Sequence, residues 1–116
     1  MTENRRKGVW KGQIREKAIE RKLIAAVRKR GGLALKLVSP GYAGLPDRLV
    51  LLPGGHLAFV EVKAPGKQPR PLQLRRHEQL RRLGFRVYVL GSDRMDGSAG
   101  QLAERIGGLL DEVCSP

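Results

Sequence analysis

The sequence has little cysteine and histidine, few aromatic residues and no long apolar run. Its one cysteine, Cys114, excludes an intrachain disulfide and a cysteine zinc cluster. Two histidines, His56 and His77, are too few for a histidine-rich metal site, so oxygen ligands would hold any metal. Oxygen ligands favour hard cations such as Mg²⁺ or Mn²⁺. Aromatic residues make up 4% of the chain, and the core must therefore be mostly aliphatic.

Membrane and secretion signals are also missing from the sequence. No apolar stretch approaches the ~20 residues that a membrane-spanning helix needs. The first residues, Met1 to Lys11, are polar and basic and lack the apolar segment of a secretion signal. We therefore expect a soluble intracellular protein with no membrane partner.

Acidic residues are scarce relative to basic ones. The chain carries 23 Lys and Arg against 11 Asp and Glu, which gives a formal net charge of +12. A polyanion is the natural partner of such a chain, and nucleic acid is the leading candidate. The length of 116 residues predicts a single domain, 1–116, in which residues 1–12 form a flexible basic arm.

Apolar periodicity and turn residues predict the element order α-β-β-β-α-β-α. The predicted helices span residues 14–30, 71–83 and the C-terminal segment after residue 100, and the predicted strands span 33–38, 48–53, 56–63 and 85–90. Gly54-Gly55 predicts a two-residue hairpin turn, which would set Arg48 about opposite Glu61. This order is typical of a small α/β domain with a central sheet and covering helices.

Two carboxylates interrupt the apolar face of the first predicted helix. Glu16 and Glu20 lie one turn apart, and both fall within its apolar sector. A carboxylate facing the core is costly unless a cation or hydrogen-bond donors meet it. One interpretation is a functional carboxylate, and the other is a side chain at the edge of the sector that pairs with Lys17 or Lys22. The helix alone does not distinguish Glu16 from Glu20.

The predicted hairpin gathers further charged side chains. Strand alternation places Glu61 and Lys63 on one face, and Asp47 lies at the start of the partner strand. Asp47 and Glu61 can therefore converge. Two carboxylates with a backbone carbonyl and waters form a hard-cation site that leaves positions open for a phosphate. Lys63 adjoins that site, although an incidental salt pair on a solvent-facing strand is the simpler interpretation of Glu61 and Lys63 alone.

Pro46-Asp47, followed after thirteen residues by Glu61-Val62-Lys63, resembles the PD-(D/E)XK nuclease motif. The wider context resembles the virus-type replication-repair nuclease (VRR-NUC) family in its stand-alone phage and bacterial form. The resemblance is carried by Ile19-Glu20, SPGYAGLPDR (39–48), FVEVKAPG (59–66) and QLRRHEQLRRLGFRVYVL (73–90). It implies a small restriction-endonuclease-like α/β fold with a mixed sheet, located in the cytoplasm of a bacterium or a phage-infected host cell.

The resemblance also implies roles for individual residues. Asp47 and Glu61 correspond to direct metal ligands, together with the backbone carbonyl of Val62, and Lys63 corresponds to the catalytic lysine. Glu20 corresponds to a helix carboxylate that approaches the metal, through water in one version of the site. Glu20 aligns with the family's IE element better than Glu16. The implied cofactor is Mg²⁺ or Mn²⁺, with no organic cofactor.

Basic side chains dominate the second predicted helix and the segment before it. Eight Lys or Arg residues occur from Lys63 to Arg86, against one acidic residue, Glu78. Pairing of Glu78 with Arg82 accounts for only one of these charges. We therefore expect a phosphate-binding face beside the cleavage site. The expected nucleic-acid contacts are Lys36, Ser39, Arg70, Gln73, Arg75, Arg76 and Arg82.

A helical projection of the same segment predicts which side chains are buried. The predicted core positions are Leu72, Leu80 and Leu83. Arg76 falls within their sector and so needs a specific partner or must reach to solvent along its stem. The flank of this face carries Gln73 and His77, and we expect a structural role for His77 rather than metal ligation.

The expected function is metal-dependent, structure-selective cleavage of DNA, on four-way junctions or related branched replication and repair intermediates. Because a four-way junction needs two symmetric nicks, we expect a homodimer, with Leu74 as a candidate interface residue. One alternative is a flap or single-strand nuclease of the same fold. Another is a non-enzymatic basic DNA-binding protein, in which Asp47 and Glu61 would only repel phosphates.

Overall fold

The computed structural model describes residues 15–92 and 99–116, and the proposed basic arm 1–12 lies outside them. The described elements follow the predicted order α-β-β-β-α-β-α. They are α1 (Glu16–Lys29), β1 (Leu33–Lys36), β2 (Arg48–Leu52), β3 (His56–Val62), α2 (Pro71–Arg82), β4 (Arg86–Leu90) and α3 (Ala99–Val113). None of the helices in these ranges is long and apolar enough to span a membrane.

The strands form one mixed sheet in the order β1-β2-β3-β4. β1, β2 and β3 pair antiparallel, and β4 pairs parallel to β3. The predicted fold class, a central mixed sheet flanked by helices, is confirmed. The start of β2 and the end of β3 lie at the same end of the sheet, because the two strands are antiparallel neighbours. Residues just before β2 can therefore meet residues at the end of β3.

The β2–β3 hairpin differs from the prediction by one residue. Its loop has three residues, 53–55, because Pro53 joins the two glycines, whose φ angles are +91° and +79°. Arg48 consequently pairs with Val60, and the predicted pairing with Glu61 is wrong. This register carries Asp47 to the level of Glu61, one residue closer than predicted.

One face of the sheet carries the hydrophobic core, and α1 and α3 cover it. The core is aliphatic, as the composition predicts. Its buried members are Ile19, Leu23 and Val27 from α1, Val50, Leu52, Ala58, Val60, Val62 and Leu90 from the sheet, and Leu102, Ile106, Leu109, Leu110 and Val113 from α3. Removing these apolar side chains from water is the main stabilising contribution to the fold.

The other face of the sheet is covered by α2, and its buried residues are polar. The buried residues of α2 are Gln73 and His77, whereas the predicted core position Leu83 is 70% exposed. Leu72 and Leu80 are only partly buried. The prediction is wrong because α2 lies over the charged end of the sheet, so the side of the helix that faces inward is its polar stripe.

Candidate active site

Asp47 and Glu61, the two carboxylates predicted to converge, meet at the end of the sheet where β2 begins and β3 ends. Val60 and Val62 face the α1 and α3 side, so Glu61 between them faces α2. The Glu61 side chain is 1% exposed. Asp47 Oδ2 accepts a hydrogen bond of 3.0 Å from the backbone N–H of Val62. This bond fixes the Asp47 carboxylate beside the end of β3.

Two donors hold one oxygen of the Glu61 carboxylate. Lys63 Nζ lies 3.1 Å from Glu61 Oε2, and Gln73 Nε2 donates to the same oxygen at 2.8 Å. The second oxygen, Oε1, is buried and has no hydrogen-bond partner among the described residues. A buried carboxylate oxygen without a partner is costly. The site therefore has an acceptor position available for a cation or a water molecule.

The electrostatics of Glu61 favour such a cation. Burial raises the pKa of Glu61 above its ordinary value of 4.5, and the nearby Asp47 carboxylate raises this pKa further. Lys63 and Gln73 act in the opposite direction but do not cancel these two effects. A divalent cation shared by Asp47 and Glu61 would relieve both the repulsion and the missing partner of Oε1. The donor set of Asp47, Glu61 and the Val62 carbonyl consists of oxygens only, which fits Mg²⁺ or Mn²⁺.

Glu20 is paired with an arginine on the α1 side of the sheet. Its Oε2 accepts from Arg48 Nε at 3.0 Å and lies 2.9 Å from Arg48 NH2. Arg48 NH1 also donates to the carbonyl of Ala34 at 3.2 Å. The structure therefore explains how a carboxylate is tolerated in the apolar sector of α1, whereas Glu16 is exposed. The alternative partners, Lys17 and Lys22, are both exposed and do not have this role.

The sheet separates Glu20 from the Asp47 and Glu61 pair. Arg48 pairs with Val60 and shares its core-facing side, so Glu20 lies on the opposite face from Glu61. Within residues 15–92 and 99–116, no group of three or more His, Cys, Asp or Glu side chains is placed to hold a metal. The described cation site thus contains two carboxylates.

Gln73 orients Glu61 from the first turn of α2. It is 5% exposed, its Nε2 donates to Glu61, and its Oε1 accepts from the backbone N–H of Arg70 at 2.9 Å. The second bond is the half of a capping box that satisfies an N–H at the helix start. Both ends of the amide are engaged within the protein, so Gln73 holds the Glu61 carboxylate in place, and its expected contact with nucleic acid stays a prediction.

The basic residues expected to contact nucleic acid divide into two groups. Exposed side chains belong to Lys36, Ser39, Arg70, Arg75 and Arg82. Arg82 Nε lies 3.3 Å from Oε2 of Glu78, which is also exposed, and a pair of this type contributes little to stability. Arg76 is partly buried and has the specific partners that its position requires: its Nε donates to the carbonyl of Ala43 at 2.9 Å, and its guanidinium lies over the Tyr42 ring.

His77 is the most deeply buried polar residue of α2. It is fully buried, and neither of its ring nitrogens has a hydrogen-bond partner within the described part of the chain. Burial lowers its pKa, and the charges of Arg81 and Lys63 lower it further, against an opposing effect of Asp47. His77 is therefore neutral near pH 7 and packs beside the site.

Sequence reasoning missed two residues that build this site. Arg48 alternates with two buried residues, Val50 and Leu52, and this spacing could have indicated that it needs an acidic partner. Gly91 has a φ of +104°, and a Cβ there would overlap the carbonyl oxygen of Lys63. The signal for Gly91 is weak, because a glycine after a strand is common.

Comparison with known proteins agrees with this fold. Putative nuclease p44 of Acyrthosiphon pisum secondary endosymbiont phage 1 is 58% identical over 79 residues, which cover 68% of this chain and 85% of the phage protein. A solved structure described as a VRR_NUC domain is 35% identical with a TM-score of 0.70, covering 84% of this chain and 95% of that chain. No family model matches the sequence. The fold is that of a small nuclease domain. The chain belongs to the VRR-NUC family.

Proposed function

We propose that the protein is a divalent-metal-dependent, structure-selective DNA endonuclease that hydrolyses phosphodiester bonds. The observation that carries the proposal is the buried Glu61 carboxylate, which lies beside Asp47 and is paired with Lys63, and one of whose oxygens has no partner among residues 15–92 and 99–116. A protein that only binds DNA gains nothing from two carboxylates at this position, because they repel phosphates. A cation held between them would turn the same position into one that attracts a phosphate.

The chain's own residues have distinct parts in this reaction. Asp47, Glu61 and the Val62 carbonyl would hold Mg²⁺ or Mn²⁺. Glu20 lies on the other face of the sheet, so it would support this site by holding Arg48, the neighbour of Asp47, rather than through water on the cation. When bound, the cation supplies Lewis acidity, which polarises a phosphate oxygen and makes water more acidic. Lys63, paired with Glu61 at 3.1 Å, offsets the negative charge that develops on the phosphate. Gln73 keeps the Glu61 carboxylate in one orientation, so the site is formed before substrate binds.

The exposed basic residues around the site supply contacts to the DNA backbone. Arg75 and Arg82 on α2 would neutralise phosphates, together with Lys36, Arg70 and the hydroxyl of Ser39. Such contacts position the DNA but carry no sequence information. Because a domain of this size has little surface left for base recognition, selectivity by DNA shape is favoured over selectivity by sequence.

Four-way junctions and related branched intermediates are the proposed substrates, and a homodimer is the proposed working unit. A four-way junction is resolved by two symmetric nicks, and a twofold dimer supplies two sites in a fixed relation. Leu33, Leu35 and Leu74 are 58%, 44% and 51% exposed, and Leu33 and Leu35 lie on the edge strand of the sheet. Exposed apolar side chains of this kind support an interface with a second copy.

Cleavage mapping tests this proposal. A junction with non-migrating arms, a flap, single-stranded DNA and linear duplex are each incubated with Mg²⁺, Mn²⁺ or EDTA. We expect paired, symmetric nicks on the junction with either metal and none in EDTA. Asp47→Asn should abolish cleavage while DNA binding persists. Glu20→Gln and Glu16→Gln form a matched pair one helical turn apart, and only Glu20→Gln should slow cleavage.

The same experiments separate the alternatives. Light scattering at several concentrations should give the mass of a dimer. A monomer at every concentration, with cuts on one strand only, would favour a flap or single-strand nuclease of the same fold. Unchanged cleavage by Asp47→Asn would reject the site. Binding without cleavage on every substrate and with every metal would favour a non-enzymatic DNA-binding protein.

A further inference from the structure

An exposed aromatic ring lies in the segment that leads to Asp47, in a chain that has very few aromatic residues. Tyr42 is in the segment between β1 and β2, five residues before Asp47, and is 40% exposed. The whole chain has two Tyr, two Phe and one Trp. Tyr42 and Phe85 are the two exposed rings among the described residues, and of these two Tyr42 lies in the segment that leads to Asp47.

Two contacts hold the Tyr42 ring against α2, and a third fixes the arginine that lies over the ring. The Arg76 guanidinium carbon lies 3.9 Å from the ring centroid, a cation–π arrangement. The Tyr42 hydroxyl donates to Gln79 Oε1 at 2.9 Å. Arg76 is itself fixed by a 2.9 Å hydrogen bond from its Nε to the carbonyl of Ala43. The ring is therefore held in place at the surface, and a ligand that packs on it would lose little further side-chain freedom.

The segment that carries Tyr42 packs closely on α2 and ends at Asp47. After the ring, Gly44 has a φ of +90°, and a Cβ there would approach Leu72 of α2 to 2.9 Å. At the start of β2, the Asp47 carbonyl accepts from the backbone N–H of Leu37 at 2.8 Å. The same helix α2 carries Gln73, which contacts Glu61. The ring and the carboxylates thus share one rigid support.

The surroundings of the ring match those of a nucleic-acid surface. Arg75 and Arg82, on the same helix as Arg76 and Gln79, are exposed, and together with Glu78 these residues line a surface hollow. Aromatic rings set among cations bind single-stranded nucleic acid by stacking, because every base has a face that can stack and every nucleotide has a phosphate. A ring that served only to anchor the loop would gain more by being buried.

We propose that Tyr42 is a stacking platform for an unpaired nucleobase of a branched DNA substrate. This inference rests on the proposed function, and it narrows the branched substrates to those with an unpaired base next to the cleaved backbone, such as flaps and junctions with an unpaired nucleotide at the branch. Bases within a continuous duplex are stacked on each other and offer no free face. Tyr42 therefore favours branch points and flaps over linear duplex. Arg76 becomes a positioning residue that supports the ring from below, in place of a phosphate contact.

Binding of two DNA probes tests the proposal without any cleavage. Both probes carry the fluorescent adenine analogue 2-aminopurine, one as an unpaired base at a branch and one fully paired in linear duplex, and all titrations are done in EDTA. Binding of the wild-type protein should quench the unpaired probe. Tyr42→Leu should weaken binding of the unpaired probe by about tenfold or more and leave the paired probe unchanged. Tyr42→Phe keeps the ring and should retain both the quenching and most of the affinity.

Phe85 provides a matched control. It is 43% exposed and lies just before the first residue of β4. Glu61 pairs with Val89, near the last residue of that strand, so Phe85 lies at the far end of β4 from the site. Phe85→Leu should leave the binding of both probes unchanged. Thermal melting of each variant shows whether the loop and α2 remain folded.

Several results would overturn the proposal. An unchanged affinity of Tyr42→Leu for the unpaired probe would do so, and so would equal losses on the two probes, with or without a lower Tm. Failure of the nuclease proposal gives a different result. In that case no substrate is cut with any metal, whereas the Tyr42-dependent preference for the unpaired probe persists in EDTA.

Discussion

The Glu61 carboxylate should destabilise the protein when no metal is present, and Glu61→Gln tests this directly. The glutamine amide preserves the shape of the side chain and can still accept the hydrogen bond from Gln73. It removes a buried charge that lies near Asp47 and has one oxygen without a partner in the described ranges. It also removes the attraction to Lys63. Because the pKa of Glu61 is raised, the unfavourable effects on the charged form outweigh the favourable ones.

The expected gain in stability depends on pH in a defined direction. A carboxyl group whose pKa is higher in the folded state stabilises the fold below its unfolded pKa, near 4.5, and loses this contribution as pH rises through the folded pKa. Glutamine does not titrate. The difference in Tm between Glu61→Gln and wild type should therefore increase as pH rises from 5 to 8. A single stabilising substitution is commonly worth about 0.5–2 kcal/mol, which corresponds to about 2–8 °C in Tm for a domain of this size.

Thermal melts in EDTA from pH 5 to pH 8 measure this difference. Glu78→Gln is the matched control, because Glu78 is exposed and pairs with the exposed Arg82. It should change stability by no more than about 0.5 kcal/mol, with no trend in pH. Addition of Mn²⁺ should raise the Tm of wild type more than that of Glu61→Gln, since only the wild type has both carboxylates. A lower Tm of Glu61→Gln at pH 8 in EDTA would refute the reasoning.

Two further predictions concern the support of Lys63 and the binding of DNA. Gly91→Ala should destabilise the fold by about 3 kcal/mol or more, because the alanine Cβ would overlap the Lys63 carbonyl and the backbone φ would be strained. The control Gly66→Ala has the same backbone strain at φ +81° but open space for the Cβ, so it should cost only about 1–2 kcal/mol. Urea denaturation measures both. Equal losses would contradict the steric argument. Replacing both Arg75 and Arg82 by alanine should make the slope of log affinity against log salt shallower by up to about 2. The control Arg30→Ala should leave the slope unchanged, because Arg30 lies on the opposite side of the sheet and pairs with Asp111. A double variant with the wild-type slope would mean that α2 does not face the DNA.

Local patterns in the sequence predict most of the fold and the centre of the site. The buried faces of α1 and α3 follow from apolar residues at helical spacing, and the core contains Ile19, Leu23 and Leu110 as that spacing requires. The convergence of Asp47 and Glu61 follows from hairpin pairing. The error of one residue in register arose because two glycines predict a tight turn, but the preceding Pro53 joins the loop. Loop length is decided by the pairing of both strands and not by the turn residues alone.

Contacts between distant segments could not be predicted in the same way. The Glu20 and Arg48 pair joins α1 to the start of β2, and the Tyr42 and Arg76 contact joins a loop to α2. Each of these side chains has several candidate partners of suitable charge in the sequence. Only the packing of helices on the sheet selects among them, so the sequence predicts that a partner is needed without identifying it.

The two faces of the sheet divide stability from chemistry, and this explains why the prediction failed at α2. The face covered by α1 and α3 is aliphatic and supplies the burial that holds the fold together. Because that face supplies enough burial, the face under α2 can keep a buried carboxylate, the amide of Gln73 and the ring of His77, which has no hydrogen-bond partner in the part of the chain that the structure describes. Helix projections assume that apolar residues point inward, and this assumption fails where an inward stripe serves a site. The structure therefore gives a rule for reading such sequences. When the next helix after an ExK strand is basic and its inward side carries Gln and His, that side indicates a functional face rather than a weak core.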